Sequence, residues 1–166
     1  MKDHAVEIVI EVPRGSRNKY EWDAKTKLMR LDRRVPGAVS FPADYGFIRG
    51  TLSSDGDPLD ALVLLDEPTF PGICVTARPV GVCWTTSPSS SPEPKLICVP
   101  LDDPSFEQIH ELGDVPKYKV DEMRQFFDTY KVLDNGDDCH TDHFDGRDVA
   151  LTTIRKARKR HQKAKS

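Results

Sequence analysis

Ser54-Asp55-Gly56-Asp57-Pro58-Leu59-Asp60 leads directly into Ala61-Leu62-Val63-Leu64-Leu65. Asp55, Asp57 and Asp60 stand at i, i+2 and i+5, with a glycine and a proline among them. The apolar run has the character of a buried strand, so the carboxylates mark where a loop enters the core. Like charges held this close repel and disturb one another's protonation. A divalent cation relieves that repulsion. The hard ions that favour carboxylate oxygens, Mg²⁺ among them, often share such ligands with phosphate. The same residues also compose an ordinary solvated acidic turn, since Asp, Gly and Pro are common turn formers. The rest of the chain has to separate the two readings.

Upstream, Val6, Ile8, Ile10 and Val12 alternate with Glu7, Val9 and Glu11. That pattern predicts a half-buried strand over 5–12, ended by Pro13 and Gly15, with Glu11 on its exposed face. Residues 17–22 form a second strand with Lys19 and Glu21 on one side. Leu28 to Asp32 form a short third, followed by Arg33-Arg34 and the aromatic, turn-rich segment 40–48. Downstream, residues 73–84 read as a long strand bent at Arg78-Pro79 and Gly81. Ser87 to Pro94 has the composition of a flexible low-complexity loop, and Lys95 to Pro100 returns as a strand. Several short strands punctuated by Gly and Pro predict a small barrel.

Helical signals follow. Asp103-Pro104 caps a short helix to Leu112. Pro116 opens a longer one with Val120, Met123, Phe127 and Tyr130 on one stripe. Residues 134–148 read as an acidic loop, in which Cys139, Asp142 and His143 are either a metal cluster or simply solvated. A last helix runs from about Asp148 into the tail. Without internal repeats or a linker, residues 1–166 read as a single domain, and 155–166 as a basic C-terminal tail that frays into solvent or touches an anionic partner.

The totals exclude several classes. With 37% hydrophobic and 31% charged residues the chain reads as a polar globule, and no apolar run is long enough to span a membrane. Glu7 and Glu11 interrupt the N-terminal apolar residues, which argues against a signal peptide. Cys74, Cys83, Cys98 and Cys139 form no CxxC pair and are expected to be reduced core thiols of a cytoplasmic protein. The net charge of −3 hides an asymmetry. Seven Lys/Arg lie in 155–166, leaving 17 basic against 27 acidic residues in the body. An acidic body argues against a broad nucleic-acid surface, leaving an OB-type nucleic-acid module as a minor alternative.

Taken together, the chain resembles the family I soluble inorganic pyrophosphatases, in wording closest to their actinobacterial branch. The resemblance rests on Ile10-Glu11-Val12-Pro13, Arg17-Asn18-Lys19-Tyr20-Glu21, Leu31-Asp32-Arg33, Pro42 to Ile48, Asp55-Gly56-Asp57-Pro58-Leu59-Asp60, Ala77 to Gly81, Lys95 to Pro100, Gly113 to Pro116 and Phe126 to Lys131. It implies an α+β, mainly β fold: a five-stranded OB-like closed barrel with two or three flanking helices, in a homohexamer. It also implies Mg²⁺-dependent hydrolysis of pyrophosphate by metal-activated water, with Mn²⁺ as the alternative ion. Position by position, Asp55, Asp60, Glu11 and Glu93 would ligate metal. Asp57 would act as base or water orienter, with Glu93 beside it. Lys19, Arg33, Tyr45, Lys95, Tyr130 and Lys131 would hold phosphate oxygens, and Glu21 would complete the polar site.

The chemistry agrees, since the reaction needs a hydroxide, neutralised phosphate oxygens and an activated leaving phosphate. Four positions depart from the family pattern. Of two expected aspartates before Lys95, the nearer is Glu93 and the farther falls at Ser87 or Pro88. An expected lysine falls at Asp137, and an expected tyrosine is Phe41. A catalytically impaired paralogue serving as a binding or assembly scaffold is therefore the second reading.

Overall fold

A ring of five strands organises the chain. The computed structural model describes residues 4–134 and 138–166. Its strands are β1 (Val6–Val12), β2 (Asn18–Asp23), β3 (Leu28–Arg34), β4 (Asp44–Ile48), β5 (Asp60–Val63), β6 (Cys74–Ser87), β7 (Ser90–Pro100) and β8 (His140–Gly146). Helix α1 spans Lys117–Thr129 and α2 spans Arg147–Lys165. The order β1-β4-β5-β7-β6 closes when β6 pairs back onto β1, and β8 adds outside the ring on β6. Strands β2 and β3 form a separate hairpin. This is the mainly β, OB-like barrel that the sequence implied, flanked by two α-helices.

Sequence features account for the closure. Along β1, Val6, Ile8, Ile10 and Val12 are buried, as their alternation predicts. In β6, Cys74 to Ala77 pair with β1, whereas Gly81 to Thr86 pair with β8. The irregularity between Pro79 and Gly81 separates the two stretches, so one bent strand serves both neighbours. Gly46 lies opposite Ile10 on β4. A Cβ there would stand 1.8 Å from the carbonyl oxygen of Val9, so only glycine permits this approach.

Period two divides the core. Ala61, Val63, Leu96 and Cys98 pack with Ile8, Ile10 and Ile48 beneath Ala150, Ile154 and Ala157 of α2. Leu62, Leu64, Ile97 and Val99 face the other way, onto Met123, Phe126 and Phe127 of α1. Each such side chain contributes about 1.5–3 kcal/mol by leaving water.

Several expectations fail locally. Ser87 to Pro94 is a hairpin, not a loop: Ser87 pairs with Ser90, Thr85 with Glu93 and Trp84 with Pro94. Pro92 and Pro94 share one side by period two. Because β5 reaches only Lys95, a side without ladder bonds is open there, where a missing N–H is harmless.

The acidic 134–148 stretch contains β8, whose outward charges are tolerated because β6 supplies the ladder. There His143 Nδ1 lies 2.6 Å from Asp142 and its Nε2 3.1 Å from Asp145. Cys139 is buried, and these groups do not gather as a metal cluster among the described residues.

The helix expected over 104–112 reduces to 3₁₀ turns at Pro104–Phe106 and Leu112–Asp114. The Arg78 guanidinium takes the carbonyls of Phe106 and Ile109 instead. Cys83, Cys98 and Cys139 are buried, but Cys74 is exposed at the barrel seam, donating to Glu7. The basic residues 155–165 continue α2. The first of these turns is held by the buried Ala157 and by Arg158 and Arg160 donating to the carbonyls of Ala5 and Leu52, and residues 162–166 are exposed. Asp137 lies outside the described residues.

Candidate active site

The acidic loop is a tight turn with one buried anchor. The Asp57 N–H donates to Asp55 Oδ1 at 3.0 Å, and Ser53 N–H donates to the Asp57 carbonyl at 2.7 Å. Gly56 takes φ +94° between them, in the left-handed region glycine tolerates. The loop leaves through Leu59, whose N–H bonds the buried Thr51 hydroxyl at 3.0 Å. Asp60 then opens β5, directly opposite Lys95 in the parallel pair with β7.

These residues form one wall of a basin of about 760 Å³. Asp55, Asp57 and Asp60 come from the loop and β5, Glu93 and Lys95 from β7. Glu11 and Tyr45 come from β1 and β4. The β2–β3 hairpin contributes Lys19, Glu21 and Arg33, and the end of α1 contributes Tyr130 and Lys131. Every site residue that the resemblance implied lines this basin. Of the departures, Glu93 and Phe41 line it and Ser87 and Pro88 do not. Phe41 is buried in tilted contact with the Tyr45 and Phe126 rings, so this position contributes aromatic packing in place of a hydroxyl.

The charges are arranged in opposed pairs. Lys95 is only 6% exposed, and its Nζ lies 2.6 Å from Asp60 and 3.4 Å from Glu93. Burial alone would push this ammonium down, but Tyr45, Asp60 and Tyr130 reverse that and hold it well above its usual range. Lys19 lies 2.9 Å from Glu21 and 3.3 Å from Asp32. Burial pushes the Tyr45 hydroxyl up, and the Asp60 charge adds to the effect. Tyr130 is raised mainly by burial too, against the pull of Lys95.

Two carboxyls are raised. Burial lifts Glu11 to about 7, helped by Asp60 and Glu21, although the N–H of Trp22 bonds its Oε2 at 2.8 Å. Periodicity placed Glu11 away from the core correctly but could not show that the hairpin covers it. Partial desolvation raises Asp57, followed by the charges of Asp55, Asp60, Glu21 and Glu93.

The donor set fits a hard divalent ion. It is all oxygen, and the charges of neighbouring carboxylates add to the burial that raises Glu11 and Asp57. Among the described residues no three acidic, His or Cys side chains already converge as ligands. Asp60 is turned on Lys95, Asp55 on its own loop and Glu11 on Trp22.

The sequence reading missed three contributors. Asp32 and Asp134 neutralise the hairpin cations, and the Trp22 amide holds Glu11. Alternation along 17–22 and 28–34 was the available signal for the first. The Asp134 contact joins distant segments and leaves no local signature.

A small barrel whose mouth collects carboxylates for metal and cations for phosphate is the architecture of a metal-assisted phosphoanhydride hydrolase. Comparison with known proteins narrows that class. The inorganic pyrophosphatase family profile matches residues 8–162. The inorganic pyrophosphatase of Streptomyces coelicolor is 43% identical over 154 residues, covering 93% of this chain and 94% of that protein. That of Leifsonia xyli is 47% identical over 132 residues, covering 80% of each. The crystal structure of inorganic pyrophosphatase from Thermus thermophilus superposes with a TM-score of 0.93 at 41% identity, covering 96% of this chain and 92% of that one. The chain belongs to the inorganic pyrophosphatase family, whose members are metal-dependent. Among the described residues no helix is long and apolar enough to cross a membrane.

Proposed function

We propose that this chain hydrolyses inorganic pyrophosphate to two phosphates, using Mg²⁺ or, in its place, Mn²⁺. The observation that carries the reading is the gathering of carboxylates and cations from seven segments around one basin. A divalent ion held there would lower the pKa of a bound water and neutralise phosphate charge.

The chain's own groups do the remainder. Glu11, Asp55, Asp60 and Glu93 would supply the metal's oxygens. Asp57, with its raised pKa, takes the proton of the attacking water. Lys19, Arg33 and Lys95 match phosphate oxygens with charge, and the Tyr45 and Tyr130 hydroxyls stay protonated as donors. Lys131 lies against the Tyr130 ring at the rim, and Glu21 holds Lys19. With a metal and phosphate bound, the carboxylates of these opposed pairs would be available to the metal and the cations to phosphate. A homohexamer located in the cytoplasm is the accompanying expectation, and sedimentation would check the first part.

The test is phosphate release from pyrophosphate with Mg²⁺ and then Mn²⁺, with Asp57→Asn and Asp60→Asn beside the native chain. The native chain turns over and each variant falls about 10²–10⁴-fold. Equal background rates in all three would leave the scaffold reading, which the absence of Ser87 and Pro88 from the basin favours.

A further inference from the structure

The β2–β3 hairpin stands apart from the ring, yet it carries three of the basin's charged groups. Its position relative to α1 therefore sets the spacing between the two walls that face a substrate. Arg33 sits at the junction. Its Nη1 lies 3.1 Å from Asp32 and its Nε 2.6 Å from Asp134 Oδ2. The Nε–H is not aimed along that contact, so Arg33 and Asp134 meet as an ion pair. Among the described residues Nη2 makes no hydrogen bond and is left for a ligand.

Asp134 itself does not line the basin. It belongs to the turn after α1, where its N–H bonds the Lys131 carbonyl at 3.1 Å. That turn follows Tyr130 and contains Lys131. The helix end is in turn fixed to the barrel by the Thr141 N–H donating to Asp128 at 2.6 Å. Among the described residues no other ion pair joins the hairpin to the α1 turn. Both side chains are partly shielded, at 34% and 19% exposure, which makes the contact stronger than a free surface pair.

We propose that Asp134 is a positioning residue: it latches the hairpin to the end of α1 through Arg33 and sets the width of the phosphate half of the basin. This rests on the pyrophosphatase reading. It gives a role in the known reaction to a carboxylate that touches neither metal nor substrate. Asp32 completes the arrangement by bridging Lys19 and Arg33, so the two hairpin cations are held as one unit whose place Asp134 decides.

Asp134→Asn removes the charge and leaves the shape. Pyrophosphate KM should rise about tenfold with kcat within twofold, Asp134→Glu should recover most of it, and in an Arg33→Ala background Asp134→Asn should add nothing. Hydrogen exchange gives a readout that needs no activity. Amides of Leu28 to Arg34 should exchange several-fold faster in Asp134→Asn, while those of β5 and β7 stay unchanged and report that the barrel is folded. An unchanged KM together with unchanged hairpin exchange overturns the latch, as does an equal effect in the Arg33→Ala background. A native chain inactive on pyrophosphate would sink the functional reading instead, and the exchange comparison alone would then decide the latch.

Discussion

Lys95 Nζ stands 2.6 Å from Asp60 Oδ2 because β5 and β7 run parallel with these two residues directly paired. One register fixes a buried cation against the last aspartate of the acidic loop. Lys95→Gln leaves Asp60 beside Glu11 and Asp57 with its partner gone. Asp60 is one-third exposed, so water relieves part of the loss. The expected cost is about 1–3 kcal/mol, below the full penalty of breaking a buried pair, read from the midpoint of urea unfolding. An unchanged midpoint would mean the pair contributes nothing to stability.

Glu11 makes metal-free stability depend on pH in an unusual direction. Its carboxyl titrates near 7 in the folded chain against 4.5 in the unfolded one. Between those values the folded state holds the extra proton, so stability falls as pH rises from about 4.5 through 7. The loss from this group is at most about 3 kcal/mol. Unfolding curves in a chelator at pH 5 to 8 should show the decline. Glu11→Gln should flatten it, and a variant with the native slope would refute the assignment.

Glu93 stands where the resemblance implies a shorter carboxylate, and it accepts a hydrogen bond from Lys95 Nζ at 3.4 Å from a strand position paired with Thr85. Because β7 fixes its backbone, shortening the side chain changes reach and little else. Glu93→Asp should lower the Mg²⁺ needed for half-maximal phosphate release by about tenfold, a typical span for changes around metal ligands. A metal titration that is unchanged, or shifted upward, would show that the glutamate already serves as well.

Gly46→Ala tests the ring rather than the chemistry. The new methyl would meet the Val9 carbonyl at 1.8 Å, where a backbone must move. Destabilisation of about 3 kcal/mol or more is expected, measured by thermal unfolding. A variant within 1 kcal/mol of the native chain would show that β1 and β4 can separate at little cost.

The barrel was legible because alternation in β1 and the Arg78-Pro79-Gly81 bend each carry a local cause. The site was legible through the Asp55-to-Asp60 spacing and the resemblance built around it. Ser87 to Pro94 was misread because composition describes solubility, whereas pairing with Trp84 and Thr85 is decided by a neighbouring strand. The same holds for β8, whose charges hide a ladder supplied by β6. Cys74 looked like a core residue because an apolar run does not say which of its members faces the seam. Asp134 stayed hidden because its partner is about a hundred residues away.

The β1–β6 seam also dictates an order of assembly. Val6 meets Ala77 and Val9 meets Cys74, contacts between segments far apart in the chain, and their loop-closure entropy must be met before they return any stability. Until that seam forms, β1 and the first half of β6 are open edges able to pair with other chains. Glu11 lies beyond the seam on β1 and reaches Asp60 and Lys95 through the successive pairings of β1 with β4, β4 with β5 and β5 with β7, so the site's carboxylates can gather while those edges are still open.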